Sequence, residues 1–201
     1  MKYLLILFTS IVFITGCANI KDTSKDSQFS AMQSDLIMSA DSTLPMRVLS
    51  IYNPKDSLLL RTVSEDVAAD TKDEVLQNLI KRMYRTVNDS LTAGVGIAAP
   101  QVGILKNIIW VQRYDKPGNP FEAYLNPKIM QYTKQKLKWV EGCLSVPGMK
   151  DTTKTRSYAI LLDYLTPDNL HKTEMVEGFT AIIFQHEIDH LNGIIYLDRR
   201  K

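Results

Sequence analysis

Gln185-His186-Glu187-Ile188-Asp189-His190-Leu191 is the stretch from which the rest of this chain is read. On an α-helix, residues four apart share a face one turn apart, so His186 and His190 can aim two imidazole nitrogens at one metal ion. Glu187 stands beside the first of them, a carboxylate near any water that the ion polarises. Two neutral nitrogen ligands and an adjacent carboxylate are the equipment of metal-assisted hydrolysis. An exposed helix with ordinary charges is the plainer alternative, but the chain has three histidines and two of them stand here at ligand spacing. The helix is expected over residues 179–192, stopped at Gly193. Phe179, Ile182 and Ile183 fall on the face that carries the histidines; core packing accounts for at least one of them. A catalytic ion normally takes a third ligand from the protein, and that donor has to be sought elsewhere.

Upstream, the segments that feed this helix read as strands. Residues 107–112, 123–125 and 137–140 are β-branched and aromatic, and residues 157–165 and 170–176 form a pair joined by the turn Thr166-Pro167-Asp168-Asn169. Short connections favour antiparallel pairing, so the fold class is α+β, mostly antiparallel sheets packed around the central helix that carries HExxH. A second helix is expected over residues 71–88. Thr71 and Glu74 have capping-box spacing, and Val75, Leu76, Leu79, Ile80, Met83, Tyr84 and Val87 recur along one face. Between it and the first strand lies Gly94-Val95-Gly96-Ile97-Ala98-Ala99-Pro100-Gln101, small and apolar, which suits a backbone passing close to a ligand. It lacks the Lys and Ser/Thr of a phosphate loop.

The chain of 201 residues is 45% hydrophobic and 23% charged, the balance of a globular protein, with a formal charge of +2 that says little about partners. It has no basic stripe interleaved with aromatics, so no nucleic-acid partner is expected. At the N-terminus, Lys2 precedes an apolar run over residues 3–14, too short to span a bilayer and suited to the apolar region of a signal peptide. It ends in Ile14-Thr15-Gly16-Cys17, which resembles a bacterial lipobox, where the cysteine takes the lipid. The chain therefore divides into a lipoprotein-type signal peptide at 1–16, a flexible tether at 17–43 rich in Ser, Asp, Lys and Gln, and a catalytic domain at 44–201. Export with a membrane anchor at Cys17 is the expectation; the alternative is a cytoplasmic protein whose N-terminal segment is buried or disordered.

The third ligand lies upstream if the residues are taken at face value. Metzincin-type zinc proteases extend HExxH as HExxHxxGxxH, which this chain matches to Gly193, but Tyr196 stands where the final His belongs. His171 and Cys143 are the upstream candidates. His171 sits beside the expected turn. Cys143 lies in Glu141-Gly142-Cys143-Leu144-Ser145-Val146-Pro147, and with Cys17 lipidated it has no disulfide partner.

Three stretches in order resemble the motifs of the peptide deformylase family. They are Gly94-Val95-Gly96-Ile97-Ala98-Ala99-Pro100-Gln101, Glu141-Gly142-Cys143-Leu144-Ser145 and His186-Glu187-Ile188-Asp189-His190, and the resemblance covers roughly residues 44–199. It implies that Cys143, His186 and His190 bind one divalent metal, Fe2+ in most of the family, with Zn2+ or Ni2+ as substitutes. Outside the cytosol a ferrous thiolate is prone to oxidation, which favours Zn2+ or Ni2+ there. Glu187 is implied as general acid/base, and Gln101 with the Leu144 N–H as donors to the carbonyl oxygen. Gly94, Val95 and Gly96 would carry the peptide as an added strand, while Phe179, Ile182 and Ile183 wall a pocket for a methionine-like side chain. The implied reaction removes the N-formyl group from formyl-methionyl peptides and releases formate. Ribosome docking is not expected, because few residues follow Gly193. An exported amidase on another N-acyl substrate and a non-catalytic binding lipoprotein are the alternatives. For Arg156 and Asp189, support behind the metal ligands, a mutual ion pair or simple solvation are equally open.

Overall fold

The computed structural model describes residues 27–89 and 94–200. In chain order the elements are α1 (Ala31–Met38), α2 (Pro54–Leu60), α3 (Glu74–Val87), β1 (Gly96–Ala98), β2 (Ile108–Gln112), β3 (Phe121–Tyr132), β4 (Lys136–Gly142), β5 (Lys150–Ser157), β6 (Ala159–Leu165), β7 (His171–Glu177) and α4 (Gly178–Leu191), with 3-10 turns at Ala99–Val102 and Tyr196–Arg199. Five strands form one antiparallel sheet in the order β1-β2-β3-β6-β7, and β4 pairs with β5 as a separate hairpin. α4 packs on strands of both sheets, and every residue from Thr180 to Leu191 is buried. A helix enclosed on all sides needs no polar face, which is why its apolar positions do not form a single stripe. This is the expected α+β arrangement around the HExxH helix.

Local chemistry sets the boundaries. α3 starts at Glu74 rather than near Thr71, because the Asp73 carboxylate accepts from the Val75 and Leu76 N–H groups and so caps the helix. Its apolar face is core as expected, with Leu76, Leu79, Met83 and Val87 fully buried. The β6–β7 turn follows the expected Thr166-Pro167-Asp168-Asn169, with Asn169 at φ 63, a conformation Asn tolerates. Pro127 sits beside a register shift in β3, where a missing N–H breaks no ladder bond. α4 ends where expected: Gly193 has φ 70, and a Cβ there would lie 2.5 Å from the Arg61 carbonyl oxygen.

Two N-terminal expectations change. Asn53-Pro54-Lys55-Asp56, expected as a turn, opens α2: the Asn53 side chain accepts from the Lys55 and Asp56 N–H groups, and Pro54 takes the first helical position. Within the expected tether, the described residues 27–43 are folded onto the domain. Ser30 and Gln33 form a capping box that starts α1, Phe29 and Ile37 are buried, and the buried Arg82 of α3 donates to the carbonyls of Leu36, Ile37, Leu44 and Pro45. A polar segment thus acquires its order from an arginine that supplies what its own few apolar residues cannot. The signal peptide at 1–16 and Cys17 lie outside the described residues. Among the described residues no helix is long and apolar enough to cross a membrane.

The same N-terminal region carries an acid-sensitive contact. The buried Asp56 carboxylate accepts from Arg47 at 2.7 and 2.9 Å and from the Ser50 N–H at 3.0 Å. The Arg47 hydrogen bonds, against the opposing effect of burial, lower its pKa from 3.8 to about 2. A carboxyl depressed in the native state contributes stability above its unfolded pKa and loses it as pH falls through the native one. The expected result is that wild type exceeds Asp56→Asn in urea midpoint at pH 5, and that the gap closes as pH falls from about 4 toward 2. A gap that is constant over this range would refute it.

Candidate active site

α4 and the turn after β4 bring three donors together. Cys143, His186 and His190 offer ligand atoms that all lie within 4.8 Å of one another, and they are the only such group among the described residues. His190 Nε2 is 3.2 Å from the Cys143 sulfur. His186 Nδ1 is 2.7 Å from a Glu141 carboxylate oxygen, so a proton held on Nδ1 leaves Nε2 bare toward the cluster. The thiol and two imidazoles can converge on one ion at ligand distances of about 2.0 to 2.3 Å, and this donor set suits zinc, iron or nickel better than magnesium or calcium. The polarity of the two imidazoles is split. Burial opposes the charge on both, but hydrogen bonds that His186 donates to Cys143 and Glu141 raise it, while burial and the neighbouring His186 charge lower His190.

Glu187 is buried beside this cluster, and its Oε2 has no hydrogen-bond partner among the described residues. Burial raises its pKa from 4.5 to about 7, with the Glu141 charge adding and the His186 and Arg156 charges opposing. Gly96 makes room for it: a Cβ at Gly96 would meet Glu187 Oε1 at 2.5 Å and its Cγ and Cδ at 2.9 Å. A side chain at 96 must push the carboxylate aside. Gly96→Ala should therefore fold normally yet lower kcat/KM on the order of 100-fold for any hydrolysis in which this carboxylate takes part, the usual cost of moving a participating group by about 1 Å. Near-wild-type turnover would show that this carboxylate position is not needed.

Gln101 and Leu144 face the same place. The Gln101 Oε1 accepts from the Ala98 N–H, and its Nε2 donates to Ser145 Oγ at 3.2 Å and points at the Cys143 sulfur 3.6 Å away. The Leu144 N–H has no partner among the described residues. A cleft of about 770 Å³ opens over these groups, and Gly94, Val95 and Gly96 line it together with Phe179, Ile182 and Ile183. β1 is an edge strand of its sheet. Ile183 also belongs to the core around Phe184 and Ile188, as expected for at least one of the three.

His171, the other candidate for a third ligand, is exposed at the start of β7 and pairs with Asp163 at 2.8 Å, outside the cluster. Arg156 and Asp189 form a buried ion pair at 2.6 Å, and Arg156 also holds both oxygens of Glu141 at 2.8 and 2.9 Å. Burial alone would raise Glu141, but hydrogen bonds from His186 and Arg156 with the Arg156 charge hold it at about 2. Glu141 is thus a fixed anion behind His186. Sequence reasoning gave it no role, although it opens the Glu141-Gly142-Cys143 motif. Two more residues were missed. Arg199 clamps Asp189 from the other side at 2.6 Å. Tyr196, noted only as the absent third histidine of a metzincin, stacks on the His186 ring at 5.9 Å and donates to the Met149 carbonyl at 3.1 Å.

Comparison with known proteins agrees with this geometry. A family model described as polypeptide deformylase matches residues 47–201. The peptide deformylase of Leptospira biflexa is 38% identical over 165 residues, covering 77% of this chain and 87% of the relative. The class I type b peptide deformylase of Acinetobacter baumannii, in a crystal structure with Met-Ala-Ser bound, superposes with a TM-score of 0.68 at 30% identity, covering 78% of this chain and 99% of that one. The peptide deformylase of Thermotoga maritima gives a TM-score of 0.68 at 33% identity over 78% and 98% of the two chains. With a family match over residues 47–201 and relatives covered over most of their length, the chain belongs to the polypeptide deformylases, metal-dependent hydrolases that remove the N-formyl group from peptides.

Proposed function

We propose that the cluster of Cys143, His186 and His190 holds the metal of this deformylase and that Glu187 carries the proton of the reaction. The observation behind this assignment is the convergence of the three donors beside a buried carboxylate that has an unpartnered oxygen. When bound, a divalent ion supplies Lewis acidity that polarises the formyl carbonyl and acidifies a water. Glu187 would take a proton from the attacking water as the water oxygen adds to the formyl carbon. Gln101 Nε2 and the Leu144 N–H donate to the oxygen that gains charge, each worth about 3 kcal/mol of barrier. Glu187 then delivers the proton to the amine nitrogen as the C–N bond breaks, giving formate and a free N-terminus.

The substrate lies along the free edge of β1, its backbone meeting Gly94, Val95 and Gly96 as an added strand. Phe179, Ile182 and Ile183 supply the apolar wall for its first side chain. The Met-Ala-Ser bound by the Acinetobacter relative supports a formyl-methionyl peptide as the ligand of this cleft. Fe2+ is the resident ion if the protein works in the cytosol, and Zn2+ or Ni2+ if it works outside. The deciding experiment is formate release from formyl-Met-Ala-Ser by the full chain, with metal analysis of the same sample. Release that requires one metal per chain supports the assignment, and hydrolysis of N-acetyl but not N-formyl peptide overturns it.

The N-terminal pattern supports the further proposal that Cys17 is lipidated and anchors the catalytic domain to the outer side of a membrane. Labelled palmitate should enter wild type and not Cys17→Ala in cells. Equal labelling of the two, or none in either, refutes the anchor.

A further inference from the structure

α4 presents two faces to two different cavities. Ile182, Ile183, His186 and Glu187 face the cleft already described, whereas Gln185, Ile188, Asp189 and Asn192 line a second cavity of about 660 Å³ on the opposite side. The latter four recur at helical intervals, so they form one continuous face. The other wall comes from the end of β3 through Tyr132, from the β4–β5 hairpin through Lys136, Lys154 and Arg156, and from the C-terminal turn through Arg199. Its size lies in the range of small-ligand sites.

Its charge is lopsided. Four cationic side chains and one carboxylate, Asp189, line it. Asp189 is taken twice over, by Arg156 at 2.6 Å and by Arg199 at 2.6 Å. Arg156 is further matched by Glu141. Lys136 and Lys154 have no carboxylate partner among the described residues: Lys136 donates to Ser157 Oγ at 2.8 Å and lies 5.9 Å from the Tyr132 ring centre. Lys136, Lys154 and Arg199 thus line one space with a surplus of positive charge, which favours an anion there. Tyr132, Ile188 and Ile194 give the same cavity an apolar side.

We infer that this second cavity binds a phosphate ester, with Lys136, Lys154 and Arg199 around the phosphate and Tyr132, Ile188 and Ile194 against its organic part. A planar carboxylate clamp is not available, because the buried guanidinium of Arg156 is already spent on Glu141 and Asp189. Ammonium groups with the edge of one guanidinium suit a phosphate, which accepts from several directions. Such an ester is supplied either by a soluble metabolite or by a phospholipid headgroup. Because the cavity lies behind α4, its ligand does not compete with the peptide in the cleft. It does touch the chain of contacts Arg199–Asp189–Arg156–Glu141–His186, and through it can alter how His186 is held.

The test is calorimetric titration of the full chain with glycerol 3-phosphate, and co-sedimentation with vesicles of phosphatidylcholine alone or mixed with phosphatidylglycerol. Wild type is compared with Lys136→Ala/Lys154→Ala and with the single charge reversal Lys154→Glu, which changes only an exposed position. Binding of glycerol 3-phosphate that both variants weaken by about tenfold or more supports the site and a soluble ligand. Binding confined to the phosphatidylglycerol vesicles, and weakened by the same variants, supports it and names the headgroup. In either case Glu187→Gln should bind as wild type does, since that residue faces the other cavity. Absence of binding to both probes, or binding that the lysine variants leave intact, overturns the inference.

Discussion

Glu187→Gln should lower kcat for formate release by a factor on the order of 10³ while the metal content and the urea midpoint stay close to wild type. The side chain keeps its volume and loses only its ability to carry a proton, and proton transfer by one placed group contributes about 10² to 10⁴ to a rate. The native environment leaves little for the amide to disturb. Glu187 Oε2 has no partner among the described residues to lose, and Gly96 leaves open beside it the space that a Cβ would take. Burial, which raises the carboxyl to about 7, opposes a lone negative charge, so a neutral amide costs the fold nothing on that account. A divalent ion nearby would pull the same carboxyl down toward its ionised form, the one needed to accept a proton. The Gly96→Ala result belongs beside this one. If both variants lose turnover and keep their metal, the carboxylate acts by position and protonation. A Glu187→Gln protein that retains more than about a tenth of its turnover would remove the proton-carrier role, since such a small loss is below what that role contributes.

What could be read from the chain and what could not divides by the range of the interaction. α4 was legible because His186, Glu187 and His190 declare themselves within two turns, and Gly193 marks the end. α3 was legible from its apolar period. The β6–β7 hairpin followed from Pro167-Asp168-Asn169. Cys143 emerged only as one of two candidates until the neighbouring motif was weighed, because nothing local distinguishes a thiol ligand from a buried thiol. Of the contacts behind Cys143, His186 and His190, the Arg156–Asp189 pair was open only as one of several readings, and the place of Glu141 was not legible at all. Glu141 meets His186 across 45 positions and Arg156 meets Asp189 across 33, and no periodicity links such partners. α1 failed for a related reason. Its composition is that of a solvated segment, and its order comes from Arg82, a residue 45 positions away that reaches the Ile37 carbonyl. α2 was missed on local grounds, since Asn-Pro reads equally well as a turn or as an N-cap followed by the first helical residue, and only the Lys55 and Asp56 N–H bonds decide between them.

Cys143→Ala should reduce bound metal from one ion per chain to a small fraction and abolish measurable formate release, while His171→Ala leaves both as in wild type. Loss of a group that merely orients a ligand already costs about 10- to 100-fold in metal affinity, so removing one of three ligands should cost at least about 100-fold. The site has no substitute for the sulfur. Gln101 Nε2, 3.6 Å from the sulfur, is a donor, and Glu141, the carboxylate of the same motif, is already committed to His186 and Arg156. The fold should tolerate the change: Cys143 is half-buried and packs at the edge of the Leu49, Leu60, Val146, Ile195 and Tyr196 cluster, where a methyl fills most of the space of the thiol. His171 serves as the control because it was the rival ligand by sequence and stands exposed on β7, paired with Asp163. Metal analysis after dialysis against a chelator, run on all three proteins with their urea midpoints, separates the outcomes. Metal lost from Cys143→Ala at an unchanged midpoint fixes the sulfur as a ligand. Metal retained in Cys143→Ala and lost in His171→Ala would require a site on the outer strand and would sink the Cys-His-His assignment.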